Sequence, residues 1–375
     1  MRVMVAGGGT GGHFYPGLAM IEGLRARDPN VDVAYVGTRS GIEARILPSH
    51  PWIRFYPIHV RGFSRQGFLG SLGAMLWLVI ALFEALIVLA RFRPQIVIGV
   101  GGYSSFPPVF IGATLGRLLG MRTIIHEQNV VAGRANRWLA RVADLVLVSF
   151  PQTRRSFSHA RRLIVAGNPI REEFLHVKRA DELYGQFGLD PRRRTILVFG
   201  GSNGSQEITE QIVQAKDLIR ATDGLQVLLV TGSEPTAAAI RRELDTAAVR
   251  NIVVKSYIER MGAAFAIADL VVCRAGATSL AEITACGKAS VLIPWREAAE
   301  DHQMKNAQML RAEAACTLVD DEVIVQRDLV RLIVNLIRDE FALERLACNA
   351  RRLGQRAAKA EIVGEIQSLM RGARA

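Results

Sequence analysis

The stretch "VMVAGGGTGGHFYPGLAMIEGL" joins a short apolar run, Val3 to Ala6, to five glycines, a threonine and a histidine, and then to an amphipathic segment. Glycine reaches positive φ without steric cost and lets backbone approach a ligand closely. A strand, a glycine loop and a helix N-terminus present backbone N–H groups and a positive dipole end to an anion, for which a diphosphate is the natural guest. Gly7, Gly9 and Gly12 also fit the dinucleotide fingerprint G-x-G-x-x-G. His13 follows at the start of the helix, where an imidazole could take a proton near neutral pH.

A dinucleotide site needs an acid near the end of the second strand. Asp32 has the spacing but stands at that strand's start, and the strand ends in Gly37-Thr38-Arg39, where Arg39 could meet a 2′-phosphate. Other features have no role in such an enzyme. "GVGGY" supplies a second anion-binding loop through Gly101, Gly102 and Tyr103. "HEQN" crowds His126, Glu127, Gln128 and Asn129 at a strand's carboxyl end. "CRAGATSLAE" is a small-residue loop opening a helix, with Glu282 three residues after Ser279. Two readings fit Glu282: the far member of a capping box, or a carboxylate for ribose hydroxyls beside amides for phosphate.

Strand-like and helical runs alternate throughout, which predicts parallel sheets covered by helices. The strand-like runs are Val3–Ala6, Val31–Val36, Phe55–Val60, Ile96–Val100, Thr123–His126 and Leu145–Ser149, then "RRTILVF", Val227–Thr231, Ile252–Lys255, Leu270–Cys273 and Val291–Pro294. Asn168-Pro169 between the two sets is a turn signal. The expected organisation is α/β, with two doubly wound domains over residues 1–167 and 168–349. A basic amphipathic helix, about 350–375, is free to return to the first domain. Ligands in such sheets bind beyond the carboxyl ends of the strands, so a cleft between facing domains is expected.

A chain of 375 residues, 50% apolar and 22% charged, suits two ordinary globular domains. Its net charge of +12 favours acidic partners. Aromatic residues make up only 7% and form no basic, aromatic-studded patch, which argues against nucleic acid. Four cysteines far apart, with no Cys/His cluster, argue against zinc and disulfides. The strand pattern at Val3 leaves no signal-peptide pattern before it. Gly73 to Ala90 carries one charge, Glu84, and approaches the length of a membrane span. Pro94 and a new apolar run follow, so it reads as a crossover helix between parallel strands. Its apolar surface either is wholly buried or dips into an anionic membrane face, with Arg91 and Arg93 near headgroups.

Taken together, "GGTGGHFYPG", "GVGGYSSFPP", "HEQN", "GNPIR", "GGSNGS", "CRAGATSLAE" and "EDHQMKNA", in order from Gly8 to Ala307, resemble the MurG family. These are N-acetylglucosaminyltransferases that convert lipid I to lipid II in bacterial peptidoglycan synthesis. Asn203 and Ser205 stand where Gln and Ala are common, and Phe106 where a small residue often follows. The resemblance implies a GT-B fold of two Rossmann-like domains, no cofactor, and peripheral attachment to the cytoplasmic face of the plasma membrane. It also implies UDP-N-acetylglucosamine on the second domain and lipid I on the first. Partners among cell-wall or division proteins are not readable from the sequence.

The reaction so implied is attack by the muramyl 4-hydroxyl on the donor's anomeric carbon, with inversion and departure of UDP. It needs a base and a stabiliser for the diphosphate. No D-x-D occurs, so helix N-termini and Arg171 are expected to serve in place of a metal. His13 is the first choice as base, with an orienting role as its alternative, and Glu127 is its rival. The resemblance carries donor contacts onto Thr10, Gly11, Gly12, Asn129, Arg171, Ser202, Ile258, Ala277, Thr278, Ser279, Leu280, Ala281, Glu282 and Gln303. Gln303 and Asn306 suit sugar hydroxyls. Gly11, Gly12, His13 and the Gly101–Tyr103 loop are expected to hold the acceptor diphosphate. A UDP-N-acetylglucosamine 2-epimerase of the same architecture is the alternative, and it would need no lipid acceptor.

Overall fold

A computed structural model describes residues 1–60, 67–319 and 328–371. The chain divides into two compact units, one of Met1–Ile170 with the chain from Ala357 onward, the other Arg171–Arg356.

The first unit holds β1 (Arg2–Ala6), β2 (Asp32–Gly37), β3 (Ile53–Pro57), β4 (Ile96–Gly99), β5 (Arg122–Glu127), β6 (Leu145–Val148) and β7 (Leu163–Val165), in the order β3-β2-β1-β4-β5-β6-β7. Every pairing is parallel. A central parallel strand is covered on both faces and therefore reads as an unbroken apolar run. In β1, Val3 and Val5 enter one core with Phe14, Leu18 and Ile21, while Met4 and Ala6 enter the other with Leu89, Phe92 and Val109.

Helix Gly11–Arg27 covers the first face together with the last helix, Ala358–Arg371. Ile362, Val363 and Ile366 complete that core. A Cβ on Gly23 would lie 2.9 Å from Val363 Cγ2, so the two helices meet where no side chain intervenes. Arg27 donates to Gln367 Oε1 and Ala360 O, each at 3.2 Å. The tail is two helices rather than one, because Gly354 ends Glu340–Leu353 before Ala358–Arg371 begins. Residues 372–375 of the expected helix lie outside the described residues.

The other face carries helix Gly67–Phe92, which packs on helix Phe106–Ala113. Ala81, Ala85, Leu89 and Phe92 form its buried stripe, and Met75, Val79, Phe83, Leu86 and Ile87 an exposed apolar one. The helix is therefore not wholly buried. Glu84 accepts hydrogen bonds from the His59 backbone N–H at 2.7 Å and meets His59 Nδ1 at 2.6 Å, tying the helix to the segment after β3.

The second unit holds β8 (Arg194–Phe199), β9 (Leu225–Val230), β10 (Ile252–Lys255), β11 (Leu270–Cys273), β12 (Ala289–Leu292) and β13 (Thr317–Leu318), ordered β10-β9-β8-β11-β12-β13 and all parallel. Strand order reverses between β1 and β4 in the first sheet and between β8 and β11 in the second. The glycine loops that follow these four strands thus stand at topological switch points, where open α/β sheets bind ligands.

Candidate functional site

At the first switch point, Gly7–Thr10 follows β1 and Val100–Gly102 follows β4. Glu43 lies between the first loop and β2, fully buried. Its carboxylate accepts hydrogen bonds from the Gly9 N–H (3.0 Å), the Thr38 N–H (2.7 Å) and the Thr38 hydroxyl (2.8 Å). Gly8, at φ +149°, has no Cβ because that carboxylate fills the space. A protein anion thus occupies the part of the fingerprint where a dinucleotide's pyrophosphate approaches the backbone. Asp32 lies at the opposite end of β2, paired with Arg54 at 3.3 Å. With Glu43 in that place and Asp32 at the far end of the strand, the dinucleotide reading fails.

His13 is the third residue of helix Gly11–Arg27, after the N-cap Thr10. Gly11 and Gly12 are the first two residues of that helix. The second loop packs directly on its ring. A Cβ on Gly101, at φ +94°, would lie 2.7 Å from His13 Nδ1, and Tyr103 beside it is exposed. Gly101→Ala should therefore push the loop or the ring aside and add ~1–3 kcal/mol of backbone strain. Misplacement of about 1 Å costs ~10²-fold in rate. If His13 is the base expected from the sequence, turnover should fall by that order while affinity for the expected donor nucleotide, UDP, measured by calorimetry, stays unchanged. Normal turnover would show that the loop does not position the histidine.

Glu127, the rival base, is buried and saturated. Oε1 accepts from the Asn129 N–H (3.0 Å) and Asn129 Nδ2 (3.1 Å), and Oε2 from the Gly133 N–H (3.0 Å) and Asn136 Nδ2 (2.8 Å). A carboxylate has about four acceptor positions. This one organises the loop from Asn129 to Asn136, and Asn129 itself faces inward to it. His126 is buried, and desolvation holds its pKa down at about 4, against the raising effect of the Gly167 carbonyl. It is a neutral imidazole at physiological pH.

In the second unit, Gly200–Ser205 follows β8 and Arg274–Gly276 follows β11. Arg274 binds these loops together. Its Nη2 donates to Ser205 Oγ (2.9 Å) and Glu207 Oε2 (2.7 Å), and its Nη1 to the Ile293 and Pro294 carbonyls beyond β12. Ser205 caps the next helix by accepting from the Ile208 N–H. Ser202 is half-buried within the loop, and Ile258, after β10, is buried.

Helix Ala277–Cys286 starts behind an N-cap glycine, Gly276. Ala277, Thr278 and Ser279 form its first turn, followed by Leu280 and Ala281, so Glu282 is the sixth helical residue. The capping-box reading of Glu282 is thereby corrected: Gly276 already supplies the extended backbone that Ser279 would have needed. The buried carboxylate instead accepts from Arg171 Nη2 at 3.2 Å. Burial raises its pKa to about 7, opposed by the Arg171 charge and hydrogen bond. Arg171 also contacts Glu173 Oε1 at 3.0 Å and lies 4.8 Å from the Phe174 ring centre. Gln303 Oε1 accepts from the Trp295 N–H (3.0 Å). Asn306 is buried, and its Nδ2 donates to the Ala275 carbonyl (3.2 Å), behind the Ala277 loop.

Two domain families match the chain: the glycosyltransferase family 28 N-terminal domain over residues 3–148 and the family 28 C-terminal domain over residues 195–362. A Lactiplantibacillus plantarum protein is 36% identical across 99% of this chain and all of its own length. It is named UDP-N-acetylglucosamine--N-acetylmuramyl-(pentapeptide) pyrophosphoryl-undecaprenol N-acetylglucosamine transferase. A protein of the same name from Syntrophotalea carbinolica is 38% identical, covering 94% of this chain and 95% of its own. The chain belongs to the MurG family. The crystal structure of Acinetobacter baumannii MurG agrees, with a TM-score of 0.71 at 28% identity over 98% of this chain and 99% of that one. The two parallel sheets with their helices are the Rossmann-like domains of a GT-B type fold.

Against this MurG frame, the glycine loops were legible in sequence and three polar supports were not. Glu43 lies in "GIEARIL", a mixed stretch that matches no motif. Arg274 lies within "CRAGATSLAE", where no neighbour in sequence shows what it binds. Asn136 lies seven residues past "HEQN", too far for a local pattern to connect it to Glu127.

Proposed function

We propose that the chain transfers N-acetylglucosamine from UDP-N-acetylglucosamine to the muramyl 4-hydroxyl of undecaprenyl-pyrophosphoryl-N-acetylmuramyl-pentapeptide, lipid I, to give lipid II. The observation that carries this reading is the first switch point, where His13 lies against the Gly101–Gly102 loop and Glu43 already occupies the dinucleotide position. The long relatives carry a transferase's name rather than an epimerase's.

In this reading His13 takes the 4-hydroxyl proton as that oxygen attacks the anomeric carbon. The C1–O bond to the diphosphate breaks on the opposite side, with inversion. Gly11, Gly12, Gly101, Gly102 and Tyr103 hold the acceptor diphosphate, with Thr10 and Asn129 beside the transferred sugar. Arg171, Ser202 and the first turn from Ala277 to Ser279 receive the charge of departing UDP. Ile258 borders uracil, Glu282 holds the ribose, and Gln303 meets the sugar. Asn306, from its buried place, holds the Ala275 carbonyl in position. Incubation with UDP-N-acetylglucosamine and a short-chain lipid I analogue tests the reading. Equal amounts of UDP and lipid II analogue are expected, and UDP release that ignores the acceptor would favour the epimerase.

The exposed stripe of helix Gly67–Phe92 fits peripheral attachment to an anionic membrane face. Phe83, 64% exposed, sits at its centre, with Arg91 and Arg93 exposed at the helix's end. Burying such a ring contributes ~1.5–3 kcal/mol, and each nearby cation about 1 kcal/mol. Binding to phosphatidylglycerol vesicles should weaken at high salt, and Phe83→Asp should weaken it by ~10-fold or more with UDP affinity unchanged. Flotation assays with and without salt check both, and salt-insensitive binding needing detergent for extraction would point to a spanning helix.

A further inference from the structure

The Val100 carbonyl can only accept a hydrogen bond, and Gln128 Nε2 lies 2.9 Å from it. The amino end of the Gln128 side chain is thereby fixed, and its Oε1 is turned toward His13 Nδ1 at 3.2 Å. An amide oxygen only accepts, so His13 Nδ1 must carry the proton. The other side of the amide agrees. Gln128 Nε2 also lies 3.0 Å from His126 Nδ1, which accepts if the proton of His126 is on Nε2. His126 Nε2 is 2.9 Å from the Gly167 carbonyl, a second group that can only accept. The Val100 and Gly167 carbonyls thus orient the Gln128 amide and place the proton of His126 on Nε2, with the His126 carbonyl 3.3 Å from Gln128 Nε2 as a further acceptor. Gln128 and His126 are buried, so water does not scramble the order.

We infer that Gln128 is a positioning residue that holds His13 as the Nδ1–H tautomer, placing the ring's lone pair on Nε2 for the acceptor's proton. The inference rests on the reading of His13 as base. It gives the third residue of "HEQN" a role that the motif alone does not. The state of one ring nitrogen is set by the hydrogen bond at the other, which makes a distant amide a determinant of basicity at Nε2.

The test uses the full-length protein labelled with ¹⁵N-histidine, its His13 signals assigned by their loss in His13→Ala. Long-range ¹H–¹⁵N spectra of the neutral ring should show Nδ1 pyrrole-like and Nε2 pyridine-like. In Gln128→Met, which fills similar space without an acceptor oxygen, the signals should move toward the Nε2–H form. kcat should then fall by ~10-fold or more, short of the ~10²–10⁴-fold that a general base contributes, with UDP affinity unchanged. A wild-type ring protonated mainly on Nε2 overturns the inference even if Gln128→Met fails to fold. So does a Gln128→Met protein that keeps both the wild-type tautomer and kcat. Near-normal turnover in His13→Ala would instead remove the base assignment on which the inference stands, a result read separately from the spectra.

Discussion

His13→Ala should lower kcat by ~10²–10⁴-fold, the usual contribution of a general base, while leaving the affinity for UDP within about twofold. The histidine belongs to the first unit, and the UDP-binding loops proposed above belong to the second. Stability should fall by no more than ~1–3 kcal/mol, because the ring is only partly buried and the N-cap, Thr10, is untouched, while the buried Gln128 Oε1 loses its donor. Steady-state turnover with saturating donor and acceptor, alongside calorimetry with UDP, separates chemistry from binding. Glu127→Gln provides the contrast. Its effect should be on folding, because two of the four N–H donors that Oε1 and Oε2 receive would face an amide nitrogen. Loss of turnover in a well-folded Glu127→Gln protein with an active His13→Ala protein would transfer the role.

The second large effect is expected at Glu282, and it carries a pH signature. Its carboxyl pKa is raised in the folded protein from 4.5 to about 7. The folded state therefore binds a proton that the unfolded chain has released over that interval. For an acid with a raised pKa, the wild type loses stability as pH climbs from about 4.5 to about 7. Glu282→Gln, which cannot ionise, should show no such loss, and thermal melts at pH 5 and 8 compare the two. Ribose hydroxyls donating to the carboxylate favour its charged form. UDP binding near pH 7 should then release a fraction of a proton, seen as a dependence of the calorimetric heat on the buffer's ionisation enthalpy. In Glu282→Gln the release should vanish and UDP should bind ~1–3 kcal/mol more weakly, the worth of a hydrogen bond to a charged group. UDP-N-acetylglucosamine should lose the same amount, and a 2′-deoxyribose donor much less. Equal UDP affinities for the two proteins would remove the ribose contact.

What could be read from sequence follows from how local each cause is. The central strands were legible as unbroken apolar runs because parallel strands buried on both faces admit little else. β7 and β13, three and two residues long at the sheet edges, carry no such run. Local apolarity points to Phe55–Val60 for β3, which instead spans Ile53–Pro57. Ile53 pairs with Val33, and the parallel register with β2, not local apolarity, sets its limits. The glycine loops announced themselves by composition. At the start of helix Ala277–Cys286, Ser279 and Glu282 mimic a capping box and so leave two readings open, whereas the N-cap glycine, Gly276, leaves no side-chain signature. Glu43, Arg274 and Asn136 act across separations that only the folded sheets close.

The return of the last helix to the first unit has a bearing on how the protein is made. Arg27 and its partner Gln367 lie 340 positions apart. At ~5–20 residues per second of synthesis, roughly 20–70 s pass between their additions to the chain. During that interval Met20, Ile21 and Leu24 belong to a core that still lacks Ile362, Val363 and Ile366. The second unit has meanwhile been synthesised in full. A nascent chain stalled before Ala358 thus presents an apolar groove along helix Gly11–Arg27, a surface on which a chaperone can act and which the final helix closes last.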